Sequence, residues 1–380
     1  MKTKCVFIKD AGRRIDKKSV AWYDVSFAEL VGNYFNTGDL AVYDSTLKLL
    51  DYRRSARINI DLPVDHAVAK TIEKSYEFLV LRASNYIHEE MDWGFFPDWL
   101  EAIRLPVLCM GVGAQAAEKR KIQLPAAGKR VWDMISERSP SIGVRGAFTA
   151  GVLEDNQIKN AEIVGCPTMF RSCTPTLALR HKSYEEISRV AFSLRREIGE
   201  NYTSDVGAFL DVQKKWILRL HERFNLTLTT HGEVEEKAYF YNDGLRLAEA
   251  RQELVRSGWF DPDNGPQLER IYAHQLYFSP VVSYYDELVR NMDFTIGYRV
   301  HGVLPALAAG TPSILLQYDA RSGELAETFK VPLLNPRDAL NDDLRNIFHR
   351  QRFSEFELNY PLAYQNMKNF LEKHEVAHCM

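Results

Sequence analysis

Arg299 and His301 stand two residues apart in Asp293-Phe-Thr-Ile-Gly-Tyr-Arg-Val-His-Gly-Val-Leu-Pro-Ala-Leu-Ala-Ala-Gly-Thr-Pro312. A guanidinium presents a fixed fork of donors suited to a phosphate or a carboxylate. An imidazole gives or takes a proton near neutral pH. Apolar and β-branched residues precede the pair, and Gly302 with a small-residue helical pattern follows it. Both side chains therefore fall at the carboxyl end of a strand, just before a helix N-terminus. Backbone N–H groups and the positive end of the helix dipole make that position an anion site. The same residues would also serve if Arg299 paired with a nearby Asp and His301 capped the helix, and the pattern leaves both readings open.

Other positions repeat this strand-end theme. Tyr318-Asp-Ala-Arg-Ser-Gly-Glu-Leu325 follows a strand and would put Asp319, Arg321 and Glu324 on one cleft edge; a solvated helix start has the same composition. Gly32-Asn-Tyr-Phe-Asn-Thr-Gly-Asp39 precedes a helix, Asp39 fits its cap, and the two glycines allow tight turns near a ligand. Asn33 lies in the same loop. Asn85, after the strand ending at Leu81, and Gln115, in Gly111-Val-Gly-Ala-Gln115, offer amides to sugar hydroxyls. Arg145 and Arg195 also end strands. Together with Arg299 they point to a multiply charged anion. Cys109 and Cys166 follow apolar runs and read as core. Lys119-Arg-Lys121 with Lys129-Arg130 reads as a solvated helix face rather than a patch for anionic lipid. No Walker A pattern is present, and Gly111-Val-Gly113 is followed by Ala116, which breaks the dinucleotide fingerprint.

Elements of one kind must place these residues. Short apolar runs alternate with amphipathic stretches, the signature of βαβ units and a parallel sheet. Strands are expected at Cys5–Ile8, Glu77–Leu81, Pro106–Met110, Ser141–Val144 and Glu162–Val164, then at Arg189–Leu194, Asn225–Thr230, Gln275–Phe278, Asp293–Ile296 and Pro312–Leu316. Helices are expected between them, among them Leu40–Leu50, Ala147–Leu153, Asp205–Phe224, Val303–Ala309 and Glu324–Lys330. The chain has 380 residues, enough for two domains. The aperiodic Arg171–Ser183 divides it into a Rossmann-like domain over residues 1–175, a second over 184–340, and a helical tail over 341–380 that packs back on the first. The expected fold class is α/β, two doubly wound domains facing a cleft.

Composition bounds the setting. With 48 Lys+Arg against 51 Asp+Glu the net charge is −3, so no basic field draws the chain onto nucleic acid. The longest apolar run, Val303–Leu316, is broken by Pro305, Gly310 and Pro312 and is too short to span a bilayer. No secretory signal is legible in Met1–Lys9. The five cysteines show no disulfide or zinc spacing. A reduced, cytoplasmic setting is expected, in which Asn201-Tyr-Thr203 and Asn225-Leu-Thr227 have no meaning as glycosylation sequons.

In order and spacing, several blocks resemble the polysaccharide pyruvyl transferase family. They are Gly32-Asn33…Gly38-Asp39, Gly111-Val-Gly113, Ile142-Gly-Val-Arg145-Gly, Val164-Gly165-Cys-Pro167, Phe192-Ser-Leu-Arg195, Gly297-Tyr-Arg299-Val-His301-Gly and Asp319-Ala-Arg321…Glu324-Leu325. The sequence departs from the family pattern at Arg82-Ala-Ser-Asn85, where paired glycines are common, and at Cys166, where Asp is frequent. The resemblance implies a fold similar to glycosyltransferase type B. It also implies transfer of pyruvate from phosphoenolpyruvate to a sugar of a surface glycan as a ketal, with phosphate released. Arg299, His301 and Gly302 would then bind the donor, opposed by Arg195 or Arg145. His301 would donate a proton to the methylene carbon, with Asp39 or Glu324 as base. Asn33, Asp39, Asn85 and Gln115 would meet the acceptor, a sugar or a lipid-linked oligosaccharide. A lipid-linked acceptor would bring the protein to the inner face of a membrane. No metal or cofactor is called for. The alternatives are a nucleotide-sugar glycosyltransferase of the same architecture and a glycan-binding protein without catalysis.

Overall fold

The computed structural model describes residues 3–8, 13–14, 20–21, 26–196 and 205–380. Asn201-Tyr-Thr203 and Lys9 lie outside these. The second sequon starts a strand at Asn225.

In the first half the strands are β1 (Thr3–Ile8), a two-residue pair β2 (Arg13–Arg14) and β3 (Val20–Ala21), β4 (Tyr52–Ile58), β5 (Phe78–Leu81), β6 (Val107–Cys109), β7 (Ile142–Val144) and β8 (Ala161–Ile163). The second half contributes β9 (Arg189–Ser193), β10 (Asn225–Thr229), β11 (Leu276–Tyr277), β12 (Phe294–Gly297), β13 (Ser313–Leu316) and β14 (Leu333–Leu334). The first sheet runs β4-β1-β5-β6 and is parallel; a bridge between Val112 and Val144 links it to the β7-β8 pair. The second sheet is parallel throughout, in the order β11-β10-β9-β12-β13-β14. Strands covered on both faces read as continuous apolar runs, and β5, β6 and β13 do (FLVL, VLC, SILL). The architecture is therefore α/β with two doubly wound parallel sheets.

That order locates a crevice. In the second sheet the direction of strand addition reverses between β9 and β12, and ligands bind outside the carboxyl ends at such a reversal. Arg195 follows β9, and Arg299 with His301 follows β12. In the first sheet the reversal falls between β1 and β5, and β5 leads to Arg82.

Several contacts fix the halves to each other. The helix Thr37–Leu49 packs on the helices Val300–Ala308 and Val282–Arg290. Buried Arg171, in the crossing segment, donates to Asp44 and to Asp286, both at 2.6 Å. The last helix, Ser354–Lys373, reaches the first half through Lys373–Glu162 at 2.9 Å and through His374, whose Nε2 lies 2.9 Å from the Ser141 carbonyl oxygen. The basic residues Lys119, Arg120, Lys129 and Arg130 are each matched by a carboxylate: Glu327, Glu89, Asp133 and Glu101. They do not form a free basic patch. Among the described residues no helix is long and apolar enough to cross a membrane.

Candidate active site

His301 sits in the first turn of the helix Val300–Ala308, whose N-cap is Arg299. The helix starts three residues earlier than the small-residue pattern predicts, because Gly302 is needed inside it for close packing. A Cβ at Gly302 would lie 2.0 Å from Ser193 Oγ at the end of β9 and 3.2 Å from His231 Nε2. His231 follows β10 and is buried; its carbonyl accepts from the Thr37 N–H at 2.8 Å. That bond seats the helix Thr37–Leu49 against the second half. Asn36, not Asp39, caps this helix, accepting from the Gly38 N–H at 3.1 Å. Asp39 instead stands in the first turn, 3.5 Å from Arg82.

The two imidazoles divide the arginines between them. Burial lowers the pKa of His301 well below its ordinary value, and Arg145, Arg321, the neighbouring His231 and Arg82 push the same way. Burial, then Arg299 and Arg195, brings His231 down to about 3. Both rings are thus neutral at pH 7 while no anion is bound. His301 Nε2 is also 3.6 Å from the thiol of Cys166, which is buried and 3.1 Å from Thr168 Oγ1.

Arg145 is the exceptional cation. It is 1% exposed, and its Nε has no hydrogen-bond partner. Among the described residues it forms no ion pair; its described bond is from Nη1 to Asn85 Oδ1. Asn85 Nδ2 in turn donates to Gln115 Oε1 at 3.3 Å, so these two amides brace Arg145. Burial, and then the like charge of Arg321, lowers its pKa, so an anion bound beside it would be favoured.

Arg299 has a different setting. Its Nε donates to the Leu194 carbonyl at 3.2 Å, Nη1 to the Tyr34 hydroxyl at 3.4 Å, and Nη2 to buried Glu233. Burial opposes both charges, yet the pair holds, with Arg299 raised and Glu233 lowered in pKa. The carboxylate partner left open by the sequence is Glu233. Arg195 lays its guanidinium over the Tyr318 ring at 4.7 Å. Glu324 accepts from the Thr149 N–H at 2.7 Å and from the Thr149 hydroxyl at 2.9 Å. It thereby ties the second half to a helix start in the first and is not placed as a free base. Asn33 is exposed at the end of a short helix, and its carbonyl accepts from Lys237.

The structure thus gathers Arg145, His301 and Asp39 with the Asn85–Gln115 brace, and adds Arg82, Arg321, His231 and Cys166. Glu233 and His231 are not among the residues expected from the sequence, although Thr230-His-Gly-Glu233 occupies a strand end like the others. Cys166 is buried as its apolar neighbours predict, but its sulfur also faces the histidine. A cleft of about 940 Å³ is lined by Phe209, Tyr298, Tyr318, Asp319, Asn335 and Arg337 with residues 117–120, and it meets the cluster at Tyr318, whose hydroxyl accepts from Arg321. Among the described residues no cluster of three or more His, Cys, Asp or Glu side chains could hold a metal.

The family model for polysaccharide pyruvyl transferase matches residues 36–320. No curated protein matches the sequence. Solved structures with a similar course include a putative UDP-N-acetylglucosamine 2-epimerase from Listeria monocytogenes, at 10% identity and TM-score 0.49, covering 99% of this chain and 97% of that one. Others are the UDP-GlcNAc 2-epimerase from Neisseria meningitidis bound to UDP-GlcNAc (10%, TM-score 0.46, 98% and 99% covered) and an α,α-trehalose-phosphate synthase (UDP-forming) from Burkholderia vietnamiensis (10%, TM-score 0.46, 98% and 99% covered).

Proposed function

The chain belongs to the polysaccharide pyruvyl transferase family, and from that premise we propose that it moves pyruvate from phosphoenolpyruvate onto two hydroxyls of a sugar in a polysaccharide or its precursor. The product is a ketal, and phosphate leaves. The observation that carries this reading is buried Arg145, which forms no ion pair among the described residues, beside a neutral His301, with Arg321 and Arg82 close by. Phosphoenolpyruvate puts a carboxylate and a phosphate on one three-carbon skeleton, and such a site answers with two or more fixed cations. In this proposal Arg145, Arg321 and Arg82 hold the donor, and Arg299 serves the wall of the site through Glu233.

Ketal formation begins with a proton delivered to the methylene carbon, which leaves a cationic centre at C2 for the first hydroxyl. His301 is the proposed donor. Burial, and then three guanidiniums, keep it neutral when the site is empty, and a bound trianion offsets the field of those guanidiniums. Asp39, held by Arg82 at the rim, is the proposed base for the hydroxyl. A second hydroxyl then displaces phosphate. The acceptor sugar lies in the neighbouring cleft, where Tyr318 and Phe209 offer aromatic faces and Asp319 and Asn335 polar ones.

The purified chain incubated with phosphoenolpyruvate and a panel of galactosides, glucosides and mannosides should release inorganic phosphate and give a product heavier by one pyruvyl unit. Release of a nucleoside diphosphate from a sugar nucleotide, with phosphoenolpyruvate untouched, would instead establish a glycosyltransferase.

A further inference from the structure

Cys166 and His301 come from opposite halves, and their side chains meet with sulfur and Nε2 3.6 Å apart. Cys166 is buried and His301 partly so, and the groups that face them are Arg145, Arg321, Arg82, His231 and Thr168. No carboxylate bonds to the His301 ring among the described residues. The Thr168 hydroxyl, 3.1 Å from the sulfur, can donate to it, which leaves S–H to donate to Nε2. That bond leaves the ring's own proton on Nδ1. Arg145 is near enough to act electrostatically on the sulfur and forms no ion pair among the described residues.

We propose that Cys166 is the positioning residue that sets the tautomer of His301 and replaces the proton His301 gives away. The inference rests on the pyruvyl transfer reading above. The π pair of the donor's C=C bond takes the proton from Nδ1, forming the new C–H bond and leaving positive charge at C2. At the same time the thiol proton passes to Nε2, so the ring stays neutral and the negative charge appears on sulfur, opposite Arg145. Asp39 receives the proton of the first hydroxyl as its oxygen bonds to C2. The second hydroxyl's proton leaves with phosphate. Solvent then returns one proton to Nδ1 while Nε2 passes its proton back to sulfur, and it removes one from Asp39, so the cycle neither gains nor loses protons and the starting tautomer is restored. A fixed S–H donor avoids the need for a protonated imidazole among several arginines.

Two measurements test this on the full chain. Nitrogen chemical shifts of His301 in the unliganded protein should show the Nδ1–H tautomer, and Cys166→Ala should return the ring to a mixture richer in Nε2–H. A wild-type ring already in the Nε2–H form overturns the proposal, whatever the substrate proves to be. In turnover, Cys166→Ala should lower kcat by about 10²-fold, with KM for phosphoenolpyruvate within threefold and the melting temperature checked alongside. Cys166→Ser keeps the donor and the tautomer but resists giving up its proton, so it should recover part of kcat and lose the alkaline limb that thiol ionisation gives the wild type. If Cys166→Ala leaves kcat and the pH profile unchanged, or raises only KM, the relay is wrong. If the wild type does not use phosphoenolpyruvate at all, the function fails while the tautomer result still stands.

Discussion

Gly113 and Arg145 define each other. A Cβ at Gly113 would lie 2.6 Å from Arg145 Cδ and 2.9 Å from its Nε, closer than any real side-chain contact, so the absence of a side chain there is what lets the guanidinium lie flat beneath the site. Gly113→Ala should push Arg145 off its Asn85 brace and reduce kcat/KM for phosphoenolpyruvate at least tenfold, with the melting temperature shifted by only a few degrees. Arg145→Ala removes the cation itself and should cost 10²-fold or more in kcat/KM, the size of a lost charge-assisted contact in a site shielded from water. Steady-state kinetics with thermal melts would check both; a Gly113→Ala enzyme with unaltered kinetics would show that Arg145 is not the anion holder. Part of this site is legible without coordinates. Arg145, Arg195, Arg299 and His301 could all be placed at strand ends from apolar runs followed by charge. Which arginine is neutralised could not be read, because that depends on Glu233, contributed by a different strand's exit, and on Asn85 bracing Arg145 across 60 residues.

At the scale of elements, the helix Ala147–Asp155 begins at Gly146, which has no side chain to cap it, and a residue of the other half does that work. Glu324 accepts from the N–H of Thr149, the third residue of that helix, so a carboxylate sits at the positive end of the dipole and joins the two sheets. Burial raises its pKa, and the Thr149 bonds oppose that rise. Glu324→Ala would strand a buried N–H and a hydroxyl, and the expected loss is about 1–3 kcal/mol of stability. Glu324→Gln keeps an acceptor for one of them and should cost less. If Glu324 were the catalytic base, Glu324→Gln would drop kcat by 10²-fold or more; the cap role predicts a change below about fivefold, and comparing melting curves with kcat for the same variant separates the two. Most core strands could be read because a parallel strand covered on both faces has to be apolar. The strand β4 escaped, since Tyr52-Arg-Arg-Ser-Ala-Arg-Ile58 runs along a sheet edge with its middle exposed and has no apolar period. The helices Val234–Tyr241 and Gly265–Gln275 escaped as well, both lying in a stretch where Gly and Asp break the pattern.

For the whole molecule, burying neutral histidines at the meeting of the halves links folding to pH. His231 is 3% exposed with its pKa brought down to about 3, and His301 and His374 are lowered too, in each case first by burial. An unfolded chain protonates these rings near the ordinary value of about 6.5, whereas the folded chain keeps them neutral to far lower pH. The unfolded state therefore binds more protons below pH 6.5, and stability falls as pH falls through that region. For His231 alone the loss is about 1.4 kcal/mol at pH 5.5 and about 2 kcal/mol at pH 5, and the other two act in the same direction. Carboxylates with lowered pKa values, such as Asp293 held by Lys182 and the Ser188 and Arg189 amides, contribute only at still lower pH, below about 4. The descent between pH 7 and 5 thus belongs to the histidines. Melting curves at pH 7.5, 6.5, 5.5 and 5 should show a steady decrease, and His231→Gln, which removes one titrating ring while keeping polar character, should be less stable at pH 7.5 but flatter in its dependence. A wild type equally stable at pH 7.5 and 5.5 would mean that these rings are open to solvent and that the two halves do not close on each other as tightly as their contacts require.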